Sequence, residues 1–120
     1  MDKAFESIMA AKKGVKGKEP EFECLDESHK IPDKKGNGQI RIQYLKNLET
    51  GKFVTYSMAY INQAICSVDN GRVIGYDNAH GVHHKHDMGR YVLVEFESFE
   101  KTLELFQDEW QRHLKKRKGK

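Results

Sequence analysis

The sequence predicts an α+β fold: an antiparallel meander of four to five strands, with a C-terminal amphipathic helix and a short N-terminal helix packed on one face. Three observations carry this. Polar and apolar residues alternate between Gln39 and Ile61. Asn70-Gly71 is a strong turn dipeptide. Phe99, Leu103, Phe106, Trp110 and Leu114 recur at helical spacing. The 120 residues suit a single domain spanning 1–120.

Phe5, Ile8 and Met9 give a short helix that Gly14 and Gly17 end. Residues 14–38, rich in Lys, Glu, Asp and Gly and carrying Pro20 and Pro32, read as loop-rich, with Phe22, Cys24 and Leu25 forming at most a short strand. Ile40, Ile42 and Tyr44 then share one face of a strand. Glu49-Thr50-Gly51 turns the chain into Phe53–Ile61, where Val54, Tyr56, Met58 and Tyr60 alternate. Ile65, Cys66 and Val68 continue or restart that strand. Asp69-Asn70-Gly71 leads into the strand Arg72–Tyr76, and Gly89 marks a second turn. Tyr91-Val92-Leu93-Val94 is apolar enough for a central strand. Ser98 is the N-cap of the last helix, and Glu100 lies in its first turn, where the dipole favours a carboxylate.

The net charge is +3, but the tail holds Arg112, Lys115, Lys116, Arg117, Lys118 and Lys120. The body before it is slightly acidic. Such a tail suits either a solvated helix end or a phosphate backbone. Cys24 and Cys66 form no metal-binding pair. With no signal peptide and no membrane-spanning stretch, the expectation is a reduced, cytoplasmic protein with two thiols. Phosphate-cradling glycine loops and nucleophile elbows are absent from the sequence.

The chemistry concentrates in residues 76–87, Tyr-Asp-Asn-Ala-His-Gly-Val-His-His-Lys-His-Asp, which hold four of the six histidines. In a strand, His84 and His86 share a face, Lys85 points away, and His83 faces with Lys85. Gly81 lets His80 swing towards either. Three readings stand side by side. In the first, His84 and His86 act as acid and base in metal-independent RNA cleavage, with His80 nearby, Lys85 or Arg90 holding phosphate and Asp77 orienting a ring. Tyr76, Asn78, His83 and Arg90 are then the surrounding binding residues. In the second, a divalent metal is held by His84, His86 and Asp87, or Asp77. No other cofactor is expected. In the third, the segment is a polar strand edge. Tyr44, Tyr56, Tyr60, Phe106 and Trp110 read as core rather than as base-stacking platforms.

The Tyr76-Asp77-Asn78-Ala79-His80-Gly81 segment, the following His83-His84-Lys85-His86, and the helix with Phe99, Phe106 and Trp110 resemble the TumE family. These are small prokaryotic toxins encoded beside a helix-turn-helix antitoxin. The resemblance covers residues 39–117. It implies an antitoxin partner and an RNA-directed or otherwise growth-inhibiting action, with Tyr76, Asp77, Asn78, His80, His84 and His86 at motif positions. It implies no membrane association. A homodimer is compatible with the sheet edge left by the first hairpin. On the phosphate-binding account of the tail, deleting residues 115–120 weakens RNA binding and flattens its salt dependence. Unchanged binding isotherms at low and high salt would remove that account.

Overall fold

The computed structural model describes residues 21–118, with side chains to residue 115. The expected N-terminal helix lies outside the described residues. Six strands follow one another: β1 (Phe22–Lys30), β2 (Gln39–Asn47), β3 (Phe53–Ile61), β4 (Arg72–Asp77), β5 (His84–Asp87) and β6 (Arg90–Leu93). They form one antiparallel sheet in the order β1-β2-β3-β4-β5-β6. The helix α1 (Phe99–Lys118) crosses one face. The architecture is therefore the expected meander plus helix, with six strands.

The additional strand comes from β1. Nine residues pair with β2, from Phe22 opposite Asn47 to Lys30 opposite Gln39. The segment is polar because an edge strand needs few apolar residues, and the residues towards Lys30 are exposed. A turn with Asn37 and Gly38 at positive φ joins the two strands, closed by Ile31 N–H donating to Gly38 O at 2.8 Å.

Residues 65–68 do not extend β3. The Ile65 and Cys66 amides both donate to Asn62 O, and Asn62 Nδ2 donates to Gly36 O. The buried Asn62 thus folds the chain back across the β1–β2 turn. Asp69 and Asn70 both take positive φ before β4. Tyr91–Val94 is also not central. Among the described residues β6 pairs only with β5, and Tyr91 and Leu93 are exposed. Its hairpin with β5 is a two-residue turn with Met88 and Gly89 at positive φ.

The core lies between α1 and β2–β4. Met58, Tyr60, Ile74 and Phe106 are essentially inaccessible. Phe99 stacks on Phe53 at 4.2 Å and meets Tyr44 edge-on; Trp110 leans on Tyr60. Ser98 caps the helix, its Oγ accepting from Lys101 N–H at 3.0 Å. The tyrosines and Trp110 are thus packing groups. Cys24 and Cys66 are free thiols.

Phe106 sits at the centre of the helix stripe and is fully buried. Phe106→Ala is expected to cost about 3–5 kcal/mol. Equilibrium urea unfolding measures this; a cost under about 1 kcal/mol would mean that the helix is not seated on the sheet.

Candidate functional site

Pairing register assigns the faces. Met58, Tyr76 and Lys85 are paired neighbours on the helix side. Ser57, Asp77, His84 and Leu93 form one column on the opposite, open face, and Ala59, Gly75, His86 and Tyr91 form the next. The open face therefore carries the polar alternates of the same strands that build the core.

Asp77 is the hub of this face. Its Oδ1 lies 2.9 Å from His84 Nε2 and accepts from Ala79 N–H, also at 2.9 Å. Its Oδ2 lies 3.3 Å from His86 Nε2 and 3.8 Å from an Arg72 guanidinium nitrogen. The two imidazole Nε2 atoms are 3.1 Å apart. Behind the rings, His84 Nδ1 donates to Val82 O at 2.8 Å, and His86 Nδ1 lies 3.2 Å from Asp69 Oδ2. Tyr91 stacks on His84 at 4.3 Å and covers it. His84 and Asp77 are buried; His86 is partly open.

Arg72 reaches this face through a bulge. Tyr60 pairs with Ile74 but Ile61 pairs with Arg72, so Val73 is an extra residue. Val73 and Ile74 both enter the core, and Arg72 is turned to the side of Asp77. Its side chain runs over Gly75 and grips Asp69 with two hydrogen bonds of 2.9 and 3.0 Å. This grip holds the Asp69 carboxyl below its usual range, against the opposing effect of burial. Burial, and then Arg72, hold the His86 imidazole below its ordinary value, against the pull of Asp69 and Asp77.

Beside the cluster lies a shallow groove of about 400 Å³, lined by Gln43, Thr55, Ser57, Asp77, Asn78 and Ala79 with the backbone side of Tyr56. Asp77 belongs to both features.

The chain belongs to the TumE toxin family. The family model described as Toxin TumE matches residues 36–114, which include the last turn before β2, five strands and most of α1. No curated protein and no solved structure matches the chain. Membership supports a toxin role. No described helix is long and apolar enough to cross a membrane.

Of the site residues expected from sequence, Asp77, His84 and His86 converge. The others are placed differently. His80 is exposed in a turn at positive φ and takes no part in the cluster. Lys85, on the helix side, pairs with Glu109 at 3.0 Å, and Tyr76 donates to the same carboxylate. His83, also on that side, stacks on Phe96 and lies 2.9 Å from Tyr56 Oη. Burial, with Asp77 next, pushes the Tyr56 phenol up to about 12. Asn78 acts as a strand surrogate: its Oδ1 accepts from Tyr56 N–H and its Nδ2 donates to Val54 O. Asp87 faces away from His84 and His86, because side chains alternate, and pairs with the exposed Arg90. The TumE cluster is thus completed by Asp77 rather than Asp87, and its cation is Arg72 rather than Lys85 or Arg90.

Sequence reading missed Arg72, Asp69 and Tyr91. Strict alternation would set Arg72 with Ile74 and Tyr76 on the core side. The available signal was the adjacent apolar pair Val73-Ile74 directly after a left-handed turn, a mark of a bulge.

A Cβ on Gly75 would lie 2.9 Å from Arg72 Cδ and 3.1 Å from Met58 O. Gly75→Ala is therefore expected to displace Arg72 and cost about 1–3 kcal/mol. Unfolding by urea reads the cost; an unchanged midpoint would show that Arg72 does not cross Gly75.

Proposed function

We propose that this TumE-family chain is the toxin of a prokaryotic toxin–antitoxin pair, acts in the cytoplasm and inhibits growth by cleaving RNA at the Asp77–His84–His86 cluster. The observation that carries the reading is the convergence of two imidazoles on one buried carboxylate beside an open groove. Buried polar clusters at the rim of a groove are where proton-transfer chemistry concentrates.

The cluster works as one centre, not as a separated acid and base. In-line displacement at phosphorus needs the two groups on opposite sides, each within about 3 Å of its own oxygen. Imidazoles 3.1 Å apart leave no room for a phosphate between them. Together they give the attacking hydroxyl a basic, water-poor point at which to lose its proton. Arg72 supplies a fixed positive charge next to it for the negative charge that develops on phosphate. The groove offers Gln43, Thr55 and Ser57 as hydrogen-bonding groups for a nucleotide.

The antitoxin, a helix-turn-helix protein on this reading, has an apolar edge to meet. Tyr91 and Leu93 are exposed on β6, whose outer side pairs with no other described strand. A protein seated there lies next to His84 and His86, on the side of the cluster away from the groove.

Wild type is expected to arrest growth on induction and to cleave purified RNA, while Asp77→Asn and His86→Gln lose about 100-fold or more in cleavage rate. Arg90→Ala retains full rate. Equal cleavage by wild type and His86→Gln removes the catalytic reading.

A further inference from the structure

The ring nitrogens of the cluster are committed in one sense. His84 Nδ1 faces Val82 O at 2.8 Å; a carbonyl only accepts, so the proton is on Nδ1. His86 Nδ1 faces Asp69 Oδ2 at 3.2 Å, and two hydrogen bonds from Arg72 keep that carboxylate ionised, so its proton is on Nδ1 as well. In the neutral rings both Nε2 atoms are then bare lone pairs. They point at each other and at the two oxygens of Asp77. Acceptors meeting at one point without a donor repel, unless a shared proton or a metal cation stands among them.

We propose that Asp77, His84 and His86 bind a divalent transition-metal ion of the zinc class. The spacing fits. An ion about 2.1 Å from each ligand atom, at angles of about 90–110°, sets neighbouring ligand atoms about 3.0–3.4 Å apart. The edges here are 2.9 Å (Asp77 Oδ1–His84 Nε2), 3.1 Å (His84 Nε2–His86 Nε2) and 3.3 Å (Asp77 Oδ2–His86 Nε2), so the carboxylate meets the two rings with different oxygens, as a bidentate ligand does. The backing fits too. A metal-binding imidazole holds its other N–H on a carbonyl or carboxylate, which fixes ring direction and tautomer. Val82 O and Asp69 do this for the two rings. Two imidazoles with one carboxylate select zinc, iron(II), cobalt(II) or nickel(II) over magnesium and calcium, which want oxygen. The positive charge of Arg72 next to Asp77 is offset by Asp69.

Three protein ligands leave coordination positions for water or substrate, as catalytic rather than structural sites do. At the same centre an ion would lower the pKa of a bound hydroxyl and so supply the basic point. This catalytic consequence rests on the reading of the cluster as an RNA-cleaving centre; the binding of metal does not.

The test uses the untagged full chain after dialysis against a chelator. Zinc is titrated by calorimetry, and cobalt(II) by its visible absorption. One ion per chain is expected, with micromolar or tighter affinity. His86→Gln weakens it by about 100-fold or more and Asp69→Asn, which leaves all three ligands in place but loosens the His86 ring and the Arg72 grip, by about 10–100-fold. Asp87→Asn leaves it unchanged. Circular dichroism confirms that each variant is folded, and Asp69→Asn keeps all three ligands if His86→Gln is not. Wild type that takes up neither ion, or affinity equal in wild type and in both Asp69→Asn and His86→Gln, overturns the proposal. RNA cleavage is scored separately. Stoichiometric, His86-dependent binding without cleavage keeps the metal site and removes the nuclease. Undiminished cleavage after chelation keeps the nuclease and removes the ion from it.

Discussion

A sheet has two faces, and one helix can bury only one of them. That constraint organises this molecule. Most residues that alternate towards α1 are apolar or aromatic and cluster with the fully buried Phe106. The residues that alternate away have no second layer to enter. Between β3 and β6 they are buried by one another: Tyr91 lies on His84, His84 and His86 lie against Asp77, and Arg72 closes over Gly75. Burial of charge without a covering layer is tolerable only where every polar atom has a partner. Among the described residues, every buried side-chain nitrogen or oxygen has a polar neighbour within hydrogen-bonding distance, although where Asp77, His84 and His86 meet with neutral rings those neighbours are all acceptors.

The two faces are also tied through the strands that carry them. Tyr76 and Asp77 are neighbours in sequence, as are Lys85 and its two flanking histidines. Each pair of neighbours sends one side chain to the helix and the next to the cluster. The same peptide bonds therefore fix the core and the site, and the geometry of the site is as rigid as the packing behind it. The turns add to this. Gly89 and the left-handed Asn70 and Met88 hold hairpin geometry that most side chains resist.

How far the sequence revealed this depended on whether local periodicity was the whole story. The helix was legible because its five apolar residues repeat without interruption. The alternation in β2 and β3 was legible for the same reason, and so was the sharing of one face by His84 and His86. β1 was hardly legible, since an edge strand held by backbone pairing needs no apolar pattern. The run at Tyr91–Val94 suggested a buried strand because hydrophobicity alone does not tell an exposed apolar edge from a central position. Lys85 and Arg90, the cations expected beside the histidines, lie apart from the cluster for a geometric reason. Lys85 and Arg90 are close in sequence, but alternation sends Lys85 to the other side and Arg90 pairs with Asp87. Arg72 is more distant in sequence, and one inserted residue turns it inward. Asp77 and Asp87 were both candidates in the sequence; the alternation of side chains within β5 turns Asp87 to the other face.

Glu109 takes on a second meaning in this light. Its carboxylate accepts from the Tyr76 hydroxyl and pairs with Lys85 at the same time. It thereby fastens β4 and β5 together from beneath, one residue away from Asp77 on one strand and from both imidazoles on the other. The helix is in this sense a lever whose fulcrum lies under the cluster. A displacement of the helix at Glu109 would thus be passed to Asp77, His84 and His86 along the backbone of the two strands, from the face opposite the cluster.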